Sequence, residues 1–131
     1  MDRRLIYIIF LLLLVACKPD LDPPVIIVEQ TGYRSFIKDQ GNENSPLTAR
    51  IITSGESGHS VEVRIKGKYG NDLIYKDERI QMGHELPLIG LYADYNNIID
   101  INLLDASNEV IHTSRHEVLT DSIDVVIPEI E

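Results

Sequence analysis

Four histidines and one cysteine carry the most versatile side-chain chemistry in this chain: His59, His84, His112, His116 and Cys17. His112 and His116 stand four residues apart. On a helix they would share a face and could grip a metal ion. On a strand they also share a face, but about 13 Å apart, too far for one ion. The residues around them read as strand, so no metal centre is expected. No His-Glu-x-x-His, Cys-x-x-Cys or glycine-rich phosphate loop occurs, and no Asp-x-Asp-x-Asp-Gly calcium loop. No Gly-x-Ser-x-Gly elbow presents a nucleophilic serine. Carboxylate pairs for glycoside chemistry can be drawn in many ways from 21 Asp and Glu, so none stands out. The expectation is a chain with no catalytic residue and no cofactor.

Cys17 is a different matter, because of what precedes it. Leu5 to Ala16 is an uncharged, apolar run behind Arg3 and Arg4. A basic start, an apolar stretch and a small residue at the end form a secretory signal. Twelve residues are too few to span a bilayer, which takes about 20. The ending Leu14-Val15-Ala16-Cys17 resembles the lipobox of bacterial lipoproteins, in which the cysteine thiol is acylated and becomes the new N-terminus. An ordinary cleavable signal with a cysteine nearby is the alternative. With the lipobox, residues 1–16 are a signal helix and the chain is anchored on the bacterial cell envelope through acylated Cys17. Residues 17–24 follow as a proline-rich tether, Lys18-Pro-Asp-Leu-Asp-Pro-Pro24, reaching roughly 20 Å in a polyproline conformation. The only thiol is then consumed by lipid, so no disulfide is available and stability rests on burial.

The charge excludes one large class of partner. The formal net charge is −9, and removing Asp2, Arg3 and Arg4 with the signal takes it to −10. Such a surface repels phosphate backbones, so nucleic acid is not expected as a partner. It gives no electrostatic help at an anionic bilayer either, which leaves tethering to the lipid.

Residues 25–131 read as a single β domain. Val25 to Val28 is a short entry strand, and Glu29 to Ser45 reads as loop. Period-two alternation then takes over. Leu47, Ala49 and Ile51 alternate with Thr48 and Arg50; Val61, Val63 and Ile65 with Glu62 and Arg64; Ile99, Ile101 and Leu103 with Asp100 and Asn102; Ile123, Val125 and Ile127 with Asp124 and Val126. Asp72–Arg79 and Glu109–Val118 are weaker strands. Ser54–Gly58, Gly67–Asp72 and Asp105–Asn108 carry turn chemistry. Short strands with turns between them predict an all-β, antiparallel, immunoglobulin-like sandwich.

Three segments add more. They are Asn44-Ser45-Pro46-Leu47-Thr48-Ala49, then Val61-Glu-Val-Arg-Ile-Lys-Gly67-Lys68, then His84-Glu-Leu-Pro87-Leu-Ile-Gly90-Leu91-Tyr92-Ala-Asp-Tyr95-Asn-Asn97. In order and approximate spacing they resemble the N-terminal domain of bacterial aryl-sulfate sulfotransferases. The resemblance covers about Asp39 to Ile127. It implies a sandwich that precedes a large β-propeller. The propeller carries the catalytic histidine that passes a sulfuryl group from a phenolic sulfate to a phenol. None of the family's catalytic residues maps onto this chain. Pro46, Leu47, Thr48, His84, Pro87, Gly90, Leu91, Tyr92, Tyr95 and Asn97 become candidates for contact with the propeller, or with a second subunit in a homodimer.

The residues themselves suggest roles. Pro46 suits the first residue of a strand. Pro87 is expected to break the ladder, so that His84–Gly90 crosses between sheets. Leu88–Tyr95 reads as a corner that either docks onto something or is an ordinary sandwich corner with a satisfied histidine. Two functions follow: a non-catalytic domain of a sulfotransferase-like enzyme, or a free-standing surface lipoprotein that binds protein or carbohydrate.

Overall fold

The structure, a computed structural model, describes residues 32–41 and 45–124. The signal, Cys17, the tether and Val25–Val28 lie outside the described residues. Five antiparallel strands form the domain: β1 (Arg34–Lys38), β2 (Ala49–Ile65), β3 (Leu73–Leu88), β4 (Tyr95–Leu104) and β5 (Val110–Thr120). They are hydrogen-bonded in the order β1-β2-β4-β5, with β3 on β2.

The two longest strands explain how one sheet becomes two layers. β2 and β3 form a hairpin whose register shifts between Ser54 and His59 and again before Val61. On one side of that irregular stretch, β2 pairs with β1 and with the second half of β3. On the other side it pairs with β4 and with the first half of β3. Extra residues on one strand bend it and increase its twist, so the hairpin folds double. Its tip comes back to its ends: Tyr75 donates its hydroxyl to the Pro87 carbonyl at 3.0 Å. The outer strands also meet, through Ser35 Oγ on β1 and His116 Nε2 on β5 at 3.0 Å.

Alternation fills the space between the layers. Ala49, Ile51, Leu86 and Leu88 enter from one layer and Val61, Val63, Ile65, Ile99, Ile101, Leu103 and Val118 from the other, in one continuous core. Each such aliphatic side chain contributes about 1.5–3 kcal/mol on full burial. The other face of β2 and β4 carries Arg50, Glu62, Arg64, Ile98 and Asn102, and on it Arg115 grips the buried Asp100 of the facing strand at 2.6 and 2.9 Å.

The turns at Gly67–Asp72 and Asp105–Asn108 form as read from sequence. Asp105 Oδ1 accepts the N–H groups of Ser107 and Glu109 at 2.8 and 3.0 Å, and Asn108 adopts φ +62. Other local expectations are corrected. Glu29–Ser45 is not all loop, since β1 lies within it, with Ser35 and Ile37 turned inward. Ser54–Gly58 is not a turn between strands but the bend inside β2. Pro46 and Leu47 form a turn, and the strand starts at Ala49. Pro87 does not break its ladder, and His84–Leu88 pairs continuously with β2. β3 is an edge strand here, and the Pro87 carbonyl faces Tyr75, away from β2. Its missing N–H therefore removes no ladder bond. Ile123 and Asp124 lie outside any strand, and residues 125–131 lie outside the described residues.

The double fold gives the domain two distinct ends. At the bend end lie Gly55–Gly58, Gln81–Gly83 and the β4–β5 turn, and there the described chain enters at Gly32 and Tyr33. At the opposite, corner end lie the Gly67–Asp72 turn, Ile89–Asp94 and the exit from β5. A ten-residue strand separates them, roughly 30 Å.

Candidate functional site

Asn97 organises the corner. Its side chain is fully buried. Its amide nitrogen donates to the carbonyls of Tyr92 and Tyr95 at 3.0 and 3.1 Å, and its amide oxygen accepts the Tyr92 N–H at 2.8 Å. The same nitrogen approaches the Val118 carbonyl and Thr120 Oγ1 at 3.3 and 3.2 Å. One amide thus does what a strand partner would do, satisfying backbone groups in a segment that has left the sheet. Gly90 has φ +87, and a Cβ there would overlap the Leu73 side chain. Only glycine fits that combination at ease. Leu91 plugs the core, 5% exposed.

This backbone presents an aromatic chain outward. Tyr92 packs edge-on against Tyr95 at 5.8 Å between ring centroids and against Tyr69 at 6.3 Å. The Lys68 ammonium sits over Tyr95 at 4.9 Å and over Tyr69 at 5.7 Å, within cation–π range. Tyr69 is 86% exposed. Sequence reasoning missed Tyr69 and Lys68, although an aromatic residue in a turn next to glycine was the available signal. Below that turn, Asp72 accepts the Gly67 N–H at 3.0 Å. That bond, with Lys66 and Arg64 nearby, holds its carboxyl below the usual range.

Beside the corner, Pro46, Thr48, Gln40 and Gly41 face Leu91, Leu119 and Asp121 across a half-open cavity of about 530 Å³. Thr48 Oγ1 donates to the Ser45 carbonyl at 2.9 Å, closing its turn, and Leu47 packs against the core.

His84 lies at the other end. It is buried, with Nδ1 3.1 Å from Asp77 Oδ2 and Nε2 2.7 Å from the His59 carbonyl. Its ring meets His59 at 5.1 Å between centroids. His59 Nε2 lies 3.0 Å from Thr53 Oγ1, and Nδ1 donates to the Ser57 carbonyl at 3.1 Å. Burial pushes the His59 pKa down, and that of His116 likewise. Arg79, first, and His84 hold Asp77 well below the usual carboxylate range. Sequence gave no sign of Asp77, which reaches His84 only through the bend. Among the described residues no group of three or more His, Cys, Asp or Glu is arranged to hold a metal ion.

The structure therefore gathers Gly90, Leu91, Tyr92, Tyr95 and Asn97 at one corner and sets Pro46, Leu47 and Thr48 beside it. Pro87 stands on the edge strand, and His84 is remote. Parts of the segments that suggested a family, Gly90–Asn97 and Pro46–Thr48, thus build the corner and its flanking turn. A family model described as the arylsulfotransferase Ig-like domain matches residues 36–119, from β1 to the end of β5. The chain belongs to this family. No curated protein and no solved structure matches it. In this arylsulfotransferase Ig-like domain the matched span contains both ends of the sandwich, the corner and the histidine network together.

Proposed function

We propose that this chain is the non-catalytic Ig-like domain of an aryl-sulfate sulfotransferase-like system, supporting a β-propeller that performs the sulfuryl transfer. The family match over residues 36–119 carries the proposal. The chemistry of the interior agrees with it. His59 and His84 spend their ring nitrogens on Thr53, Ser57, Asp77 and the His59 carbonyl. Asn97 spends its amide on backbone. These are bonds that hold a fold.

The proposal includes a lipid anchor at Cys17 on the bacterial envelope. The chain enters at the bend end and leaves at the corner end, so an anchor before β1 and a propeller after β5 would sit on opposite sides of the sandwich. The free-standing binding module remains the second reading, favoured by the exposed Tyr69 ring.

Two experiments test this. The purified 131-residue chain is expected to transfer no sulfuryl group from an aryl sulfate to a phenol. Turnover by that preparation would refute a non-catalytic role. Cys17→Ala is expected to move the protein from the membrane fraction to the soluble one, and an unchanged distribution would remove the anchor.

A further inference from the structure

We infer that the corner end is a protein-docking face, centred on Tyr69, Tyr92 and Tyr95 around Lys68, whose occupant is the propeller and presents a carboxylate to Lys68. The inference rests on the propeller reading above and names the surface that reading needs. Three observations converge on it.

The first is exposed apolar area. Tyr69 is 86% exposed, and Leu73 and Ile89 at the same end are 44% and 51% exposed. The Gly90–Leu73 contact brings the start of β3 and the turn after it together, so these residues belong to one end of the sandwich. Tyrosine is a frequent anchor of protein interfaces, since it buries a large ring at low entropic cost and keeps a polar tip.

The second is charge. The chain carries 21 acidic residues against 12 basic ones. Arg64 and Lys66 both lie near Asp72, at 3.7 and 3.5 Å. Lys68, in the turn that follows β2, instead lies over two tyrosine rings, and no ion pair to it is found among the described residues. A cation caged by aromatic faces in an acidic molecule is available for a carboxylate from a partner. A polyanion would be repelled by the rest of the surface, whereas a protein carrying one carboxylate at this point would not.

The third is position. The Asp94 N–H donates to the Asp121 carbonyl at 3.1 Å, which ties the aromatic corner to the point where β5 ends. A body joined to the chain after β5 would be held near this face, so docking there would cost little orientational freedom.

The test pairs the 131-residue chain with the propeller polypeptide encoded after or beside it, and measures binding by sedimentation. The double variant Lys68→Glu/Tyr69→Ala alters two outward side chains, and its melting temperature checks the fold. Met82→Ala, 61% exposed on β3 near the bend, serves as the remote control. The expected result is binding weakened about tenfold or more in the double variant and unchanged in Met82→Ala. Equal binding by the double variant overturns the docking face and leaves the propeller reading intact. Self-association of the wild type that the double variant abolishes overturns the occupant, making it a second copy. No binding between wild type and propeller defeats the propeller reading itself.

Discussion

His84 holds Nδ1 3.1 Å from a carboxylate oxygen of Asp77, seven residues earlier on the same strand. Residues that far apart on a straight strand point to opposite faces and lie over 20 Å apart. The bend in β3 and its partner bring them together. The other ring nitrogen faces the His59 carbonyl. Both ring nitrogens of His84 therefore face an oxygen acceptor, one on a side chain and one on the backbone. The His84 ring also stands against the His59 ring, 5.1 Å between centroids.

The pH dependence of stability follows from His59 and His116. Burial lowers both pKa values below the ordinary value near 6.5. The folded state then binds fewer protons than the unfolded one as the pH drops through that value. Stability is full above about 6.5 and declines on acidification toward the lowered folded pKa values. The melting temperature is expected to fall between pH 7.5 and 5.5, and His59→Asn is expected to flatten the slope. A wild-type melting temperature that is level across this range would contradict the buried neutral state.

Asn97→Ala removes the amide that satisfies the Tyr92 N–H and the carbonyls of Tyr92 and Tyr95. Unsatisfied buried backbone groups cost about 1–3 kcal/mol. Denaturant unfolding is expected to show a loss of that order. A loss under about 0.5 kcal/mol would mean that the corner holds itself without the side chain.

Ile101 is fully buried on β4, opposite Val63 on β2. Ile101→Asp places a carboxylate among aliphatic side chains with no cation to meet it, at a cost of several kcal/mol. The chain is expected to lose its cooperative thermal transition at 25 °C and neutral pH. A melting curve like that of wild type would contradict the core assignment.

Alternation of residue types made much of the sandwich readable in the chain itself. The inward faces of β2 and β4 are visible because a half-buried strand has a period of two, which any short window displays. The Gly67–Asp72 and Asp105–Asn108 turns are visible for a similar reason, since glycine, asparagine and aspartate favour turns through their own backbone and side-chain geometry. The segments from Pro46 to Asn97 likewise carried the family. Tertiary structure alone decided the rest. Ser54–Gly58 has turn residues, yet pairing on both sides of it keeps β2 a single bent strand. Pro87 looks like a breaker, and becomes harmless only because β3 is an edge. Tyr69 stands beside Tyr92, and Asp77 beside His84, only because the hairpin folds double. Local pattern encodes which side of a strand faces the core, while the meeting of distant residues depends on a long-range bend with no short-range signature.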